Sequence, residues 1–194
     1  VTLAFSMFFS NGVAAAIAGF EDFTEAQFKE ILAKAIPMAE QGDAEAQFAL
    51  GFLYSEGLGV LENDRTGAKW LTLAAEQGYA DAQYKLAIMF ANGEGVLENH
   101  KTAYRWAKLA AAQGHGGAQM VLGHLALLDW DTIHAYMWVS LAIYNGADKD
   151  DASESKDVIK KLMTSADVNT AQEMARRCLE SGYTDCWMID KEAE

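Results

Sequence analysis

The chain has 194 residues, of which 51% are hydrophobic, and its 28 acidic and 15 basic side chains give a formal net charge of −13. This length allows one domain with a substantial core or a small array of repeats. The negative charge disfavours binding to nucleic acid or anionic lipid, and it suits solubility or a basic partner. Frequent Ala, Leu, Gln, Glu and Lys with few β-branched runs favour an all-α protein.

Residues 1–18 have the pattern of a secretory leader. The first 20 residues carry no charge, and the apolar run Val1–Phe9 ends at a Ser-Asn-Gly step that small residues follow. We expect cleavage after Ala16 or Ala18, which would make the mature protein periplasmic or secreted. The alternatives are a membrane anchor and an ordinary N-terminal helix.

The next segment, residues 19–41, is expected to be an N-terminal helix. Within it, Thr24–Gln41 reads as a single helix that ends in AEQG. The same four residues close the first of the repeated units that follow, so this helix resembles the second half of a unit.

Three units of similar sequence occupy residues 42–146. They are Gly42–Gln77, Gly78–Gln113 and Gly114–Asn145. The first two start 36 residues apart, and the third is four residues shorter. Six positions recur in all three units: Gly42, Gly78 and Gly114; Ala46, Ala82 and Ala118; Gln47, Gln83 and Gln119; Leu50, Leu86 and Leu122; Trp70, Trp106 and Trp138; Ala74, Ala110 and Ala142. This period indicates a solenoid of helix pairs.

Each unit is expected to contain two helices, A and B. In the first unit helix A covers about Ala44–Ser55, and glycines end it because a residue just past a helix often needs positive φ. Asn63 or Asp64 caps helix B, which extends to about Gln77. Neither helix is long enough to be stable alone, so neighbouring units must bury its apolar face.

The pentapeptide GVLEN occurs twice, at Gly59–Asn63 and Gly95–Asn99. It is not a phosphate-binding loop, because that loop needs the longer GxxxxGK[ST] frame after a strand. We interpret it as the connector between helices A and B, with Val60, Val96, Leu61 and Leu97 packed against the helix pair.

Residues 147–194 are expected to hold a degenerate fourth unit and a capping helix. The unit has a helix over Ala152–Lys161, and Ser165 is the expected N-cap of the last helix. Cys178 and Cys186 follow in the segment CLESGYTDC. After export they are expected to form a disulfide; the alternative is two free buried thiols.

The repeats resemble the Sel-one-like repeat (SLR) family, relatives of the tetratricopeptide repeats. The first two units match over AEAQFALGFLYSEGLGV…W…AAEQG and ADAQYKLAIMFANGEGV…W…AAAQG, and the third keeps AQMVLG and AYMWVSLA. The resemblance covers roughly Thr24–Leu179, and the closing segment is similar to that of exported bacterial members. It implies an α/α superhelical solenoid of helix-turn-helix repeats that serves as an adaptor for protein contacts and is not an enzyme.

In tetratricopeptide-like arrays the A helices line the concave face, so the resemblance implies partner binding there. Positions spaced i, i+4, i+7 and i+11 lie on one stripe of a helix. This helix-A stripe consists of Glu45, Ala49, Phe52 and Glu56 in the first unit, Asp81, Lys85, Ile88 and Asn92 in the second, and Val121, His124 and Leu128 in the third. Its apolar members would form a peptide-binding groove if exposed. The alternative is that the fold buries them.

Catalytic and metal-binding patterns are weaker. His115, His124 and His134 lie in the third unit with Asp129 and Asp131 nearby, a set that would suit a metal or a base beside a carboxylate. Their spacings match no compact motif, so neither a metal nor a cofactor is expected. One cysteine-rich branch of the family is linked to β-lactam binding or hydrolysis, but the three units here carry no cysteine.

We therefore expect a periplasmic or secreted module that binds a protein or peptide. The alternatives are a β-lactam-binding or hydrolysing enzyme and a structural component of an envelope or polysaccharide-export assembly. The third unit replaces GVLEN with the shorter Leu128–Asp131 turn, and we expect the features particular to this protein there.

Overall fold

A computed structural model describes residues 23–186, and the expected leader at residues 1–18 lies outside them. The described residues form nine α-helices and no strand, so the prediction of an all-α fold is confirmed. The helices are α1 (Glu25–Glu40), α2 (Ala44–Glu56), α3 (Asp64–Glu76), α4 (Ala80–Asn92), α5 (His100–Ala111), α6 (Gly116–Leu128), α7 (Thr132–Tyr144), α8 (Lys149–Lys161) and α9 (Ser165–Glu180). Among these helices, none combines the length and hydrophobicity needed to cross a bilayer.

The helices belong to two compact units, one ending at Asn99 and the other beginning at His100. In the first, α1 packs on α2, α2 on α3, and α3 on α4. In the second, α5 packs on α6 and α6 on α7, while α7 also contacts α8 and α9. Each helix is thus stabilised by burial against its neighbours in the sequence, as short helices require.

Side-chain caps fix most of the helix starts. Thr24 opens α1 with a capping box, and Asp43 and Asn63 accept a backbone N–H in the first turns of α2 and α3. Asn63 was one of the two predicted caps. The prediction that Ser165 caps the last helix is wrong by one residue, because Thr164 forms the capping box there.

A buried glutamine joins each helix A to the helix before it. Its Nε2 donates to a backbone carbonyl eight residues earlier in the chain. The three bonds run from Gln47 to Ala39 (3.1 Å), from Gln83 to Ala75 (3.1 Å) and from Gln119 to Ala111 (3.3 Å). Each glutamine is at most 4% exposed, so its amide depends on these partners.

The glycine of GVLEN brings the connector against the first turns of an earlier helix. Gly59 has a φ of +70°, and a Cβ there would lie 2.7 Å from Phe28 Cβ and 2.8 Å from the backbone N of Lys29. Gly95 has a φ of +66°, and a Cβ there would overlap the backbone of Asp64. Glycine alone suits both the backbone conformation and the close approach.

The expectation that the connector leucines pack against the helix pair is wrong. Leu61 and Leu97 are 87% and 89% exposed. The connectors are held by their glycines and by backbone hydrogen bonds, from Asn63 N to the Tyr54 carbonyl and from Asn99 N to the Phe90 carbonyl. Because these bonds already fix the path of the chain, the leucines are not needed as anchors.

The loop after α9 is bonded to the rest of the second compact unit. A disulfide joins Cys178 to Cys186, and both residues are buried. Between them, Tyr183 Oη donates to Asn145 Oδ1 at 2.7 Å, and Asn145 Nδ2 donates to Gln119 Oε1 at 2.9 Å. The loop is therefore linked through two side chains to the buried glutamine of α6.

The substitution Gly59→Ala is expected to lower the free energy of unfolding by about 2–5 kcal/mol. The left-handed backbone costs a non-glycine residue about 1–2 kcal/mol, and the overlap with α1 adds about 1–3 kcal/mol. Gly78→Ala is the matched control, because Gly78 has a φ of +91° but no atom within 4 Å of its Cβ position. Urea unfolding followed by circular dichroism measures both; equal losses would contradict the packing role of Gly59.

Gln119→Leu is expected to cost about 1–3 kcal/mol, because it removes the two hydrogen bonds of the buried Gln119 amide, to the Ala111 carbonyl and from Asn145 Nδ2. The same change at the exposed Gln172 should stay within about 0.5 kcal/mol. The comparison uses the same urea unfolding experiment. If the two leucine variants are equally stable, the buried amide does not have the role described above.

Candidate functional site

The structure leaves only part of the helix-A stripe open to solvent. Ala49 is fully buried and Phe52 is 9% exposed, so the expectation that these two face a partner is wrong. The Phe52 ring lies 6.4 Å from that of Phe48 and 5.5 Å from Lys85 Nζ, which together cover it. The exposed members are Glu56, Asn92, His124 and Leu128, and the partly buried ones are Glu45, Asp81, Lys85, Ile88 and Val121.

Two charged members of the stripe pair with each other. Lys85 Nζ on α4 lies 2.6 Å from Glu56 Oε1 on α2, and the same ammonium lies over the Phe52 ring. This pair joins the A helices α2 and α4 within the first compact unit. Any partner that contacts them must compete with the existing ion pair, so this part of the stripe is a poor candidate for the main binding surface.

Glu45 is a partly buried carboxylate at the start of α2. Its burial, and secondly the charge of Asp43, raise the pKa of the Glu45 carboxyl. The Oε1 atom is buried and has no hydrogen-bond partner in the part of the chain that the structure describes. Its charged form is therefore disfavoured by its surroundings.

A groove of about 730 Å³ lies within the second compact unit, which begins at His100, and we call it the α5–α7 groove. One wall is α5, and the floor comes from the C-terminal half of α6. The opposite wall is the α6–α7 connector with the start of α7, and the disulfide-bonded Cys186 also lines the groove. Three consecutive helices and the distant Cys186 thus meet at one concave surface.

The walls of the α5–α7 groove have opposite charge. Lys101, Arg105 and Lys108 of α5 lie on one side, spaced i, i+4 and i+7 on one stripe of the helix. Asp129 and Asp131 lie on the other. Because the whole chain has a net charge of −13, a wall of three cations is a local exception to its charge.

The floor of the groove is apolar. It consists of Leu122, Leu125 and Ala126 of α6 together with Trp138 of α7. Leu122 and Trp138 are almost fully buried, whereas Leu128 at the edge is 59% exposed. An apolar floor with charged groups at the sides is the usual arrangement of a ligand-binding cleft.

The histidines of the third unit have separate roles. Asp131 Oδ1 accepts the backbone N–H of His134 at 3.0 Å as the cap of α7, and its Oδ2 bonds the His134 ring at Nδ1. His115 caps α6 by accepting from the backbone N of Ala118, and His124 is exposed. Among the described residues, no three His, Cys, Asp or Glu side chains converge in a way that could hold a metal ion.

The comparison with protein families identifies the repeats. The family model of the Sel1 repeat matches residues 44–79 and 80–115. The chain contains two Sel1 repeats. They correspond to α2–α3 and α4–α5, so the prediction of Sel-one-like repeats is confirmed, and such repeats are generally protein-interaction modules.

One solved structure with a Sel1 repeat has a similar fold. A Sel1 repeat protein from Oxalobacter formigenes is 27% identical with a TM-score of 0.59, over 71% of this chain and 40% of that one. A protective antigen with an SLR fold, present in uropathogenic Escherichia coli strains, is 23% identical with a TM-score of 0.48, over 84% and 43% of the respective chains. This chain thus spans less than half the length of either protein. No curated protein matches it.

The α5–α7 groove lies partly outside the two matched Sel1 repeats. Its cationic wall is helix B of the second repeat, and its floor and other walls come from residues after 115. Of the helix-A stripe, only Leu128 lines it. The spacing of the three cations can be read from the sequence HKTAYRWAKLAA, but the family resemblance predicts that a partner binds on the A helices instead.

Glu45→Gln is expected to stabilise the protein at pH 7 by a few tenths of a kcal/mol up to about 1 kcal/mol, since solvent screens this partly exposed group. A raised pKa in the folded state means that the carboxyl supports folding only below its ordinary value of 4.5 and loses this contribution as the pH rises. The gain should therefore vanish near pH 4. Urea unfolding at both pH values checks this, with the exposed Glu76→Gln as control; a gain independent of pH would contradict it.

Proposed function

We propose that this protein is a non-catalytic adaptor that binds a peptide segment of a partner protein in the α5–α7 groove. The observation that carries the proposal is an apolar floor between two charged walls within one compact unit. The groove volume of about 730 Å³ is in the range of ligand-binding sites. The general role of Sel1 repeats in protein contacts supports a protein as the source of the ligand.

The exposed part of the helix-A stripe in the second compact unit extends this surface. Leu128 belongs both to the stripe and to the groove edge, and His124 is exposed one turn earlier on α6. A partner seated in the groove would contact them without rearranging the fold. Partner binding on the helix-A stripe of the first compact unit stays a prediction. The Lys85–Glu56 ion pair makes that surface the weaker candidate.

Two features support a binding role over the β-lactam alternative. The two cysteines of this chain bond to each other, from α9 to the loop after it, and the three units carry none, unlike the cysteine-rich branch. The Asp131–His134 pair caps a helix start, with Asp131 already engaged by two groups of His134. Incubation of the purified protein with a chromogenic β-lactam should therefore give no turnover.

We also propose that the protein works outside the cytoplasm. The Cys178–Cys186 disulfide supports this, since such bonds persist in oxidising compartments, and the sequence pattern of residues 1–18 agrees with it. A role as a structural part of an envelope assembly is the alternative. Fractionation of the native host, followed by co-purification, separates a free adaptor from an assembly component.

The Ala126→Trp variant is expected to lose peptide binding. A random peptide library displayed on phage is selected against the wild-type protein, and the enriched peptides are measured by fluorescence anisotropy. Because Ala126 lies on the groove floor, an indole there would occupy the space of the ligand. We expect the affinity to fall at least about tenfold, which corresponds to roughly 1.4 kcal/mol.

Ala166→Trp is the matched control, since Ala166 is exposed in the first turn of α9 and does not line the groove. It should bind the selected peptides as the wild type does. Circular dichroism verifies that both tryptophan variants fold, and Leu128→Ala provides a milder change at the groove edge. If no peptide is enriched, or if Ala126→Trp and Leu128→Ala both bind like the control, the groove is not the binding site.

A further inference from the structure

We propose that the α5–α7 groove selects an extended acidic peptide of a partner protein, anchored by one bulky apolar side chain. This inference rests on the proposed peptide binding and specifies its chemistry. The sequence pattern would be an apolar residue close to two acidic residues that are two positions apart.

Two cations of the cationic wall, Lys101 and Arg105, are available for a ligand. Arg105 and Lys101 are exposed, and within residues 23–186 neither has an ion-pair partner. Both lie on the side of α5 that lines the groove, with Lys108 one turn further along. Arginine binds a carboxylate with two parallel hydrogen bonds, so Arg105 is the residue best suited to recognise an acidic side chain.

The spacing of the cations fits an extended chain. Lys101 and Arg105 are four residues apart, which is about 6 Å along a helix with a rise of 1.5 Å per residue. Side chains on the same face of an extended peptide are two residues apart, or about 6.6 Å. Two acidic residues at positions i and i+2 would therefore each meet one cation of the wall. A helical ligand would need a different pattern.

The opposite wall excludes a uniform polyanion. Asp129 and Asp131 would repel phosphate or sulfate groups that fill the whole width of the groove. Asp131 is also fixed in place, because it caps α7 and bonds His134. A ligand with acids on one side only avoids this repulsion. A peptide has that asymmetry, since alternate side chains point to opposite sides.

The apolar floor accounts for the anchor. Leu125 and Ala126 line it between the charged walls, with the ring of Trp138 beneath. An acidic residue alone would leave this surface in contact with water. A neighbouring Trp, Phe or Leu of the ligand would cover it and would fix the register in which the acids meet Lys101 and Arg105.

The test uses three fluorescein-labelled peptides, AWAEAEA, AWAQAQA and AWAKAKA, and measures their affinity by fluorescence anisotropy. Wild-type protein should bind the acidic peptide at least tenfold more tightly than the other two, and added salt should weaken this binding. Arg105→Glu should lower the affinity for AWAEAEA at least tenfold and raise that for AWAKAKA. Lys160→Glu makes the same charge change on α8 outside the groove and should alter neither.

Two results would overturn the inference. One is that AWAQAQA binds as well as AWAEAEA; the other is that Arg105→Glu and Lys160→Glu have equal effects. If library peptides bind in the groove but lack acids, the proposed function stands and only this chemistry fails.

Discussion

The buried amide of one glutamine per repeat is the interaction on which the rest of the structure depends. Gln47, Gln83 and Gln119 each reach back to a carbonyl near the end of the preceding helix, where the backbone acceptors have no partner within their own helix. Each amide is buried, so it tolerates no change in the distance between the two helices without losing its hydrogen bond. The bond therefore fixes how each helix A sits on the helix before it. The units differ at other places, which include the connectors and the exposed side of helix B.

The third of the similar units, residues 114–145, uses both of these places. Its connector has only three residues between α6 and α7, whereas GVLEN lies within a longer one in the first two repeats. The short turn brings Asp131 and His134 next to the last turn of α6, where they form a wall of the α5–α7 groove. The cations of the facing wall lie on the outer side of α5, a helix B. The groove is thus built from the positions that the glutamine bonds leave free to change.

The sequence predicted the local features of the fold well and the non-local features poorly. Helix limits, caps such as Asn63 and the repeat period depend on residues within one or two turns, and these signals can be read directly. Burial of Phe52 depends on Lys85 from the next A helix, and the groove requires Cys186 beside residues 48 to 86 positions earlier. Such contacts follow from the packing of whole helices, which spacing alone does not encode. The exposed Leu61 and Leu97 illustrate the opposite error, since hydrophobicity alone suggested packing where backbone bonds already sufficed.

The scaffold and the proposed binding site share one residue. Gln119 fastens α6 to the end of α5 and also accepts a hydrogen bond from Asn145, which in turn accepts one from Tyr183 in the disulfide-bonded loop. That loop ends at Cys186 on the groove. The position of the loop relative to α5 and α6 is therefore set by the same amide that sets the spacing of the helices. A residue that is shared by all three units thereby also supports the α5–α7 groove, because its second hydrogen bond is used for the C-terminal loop.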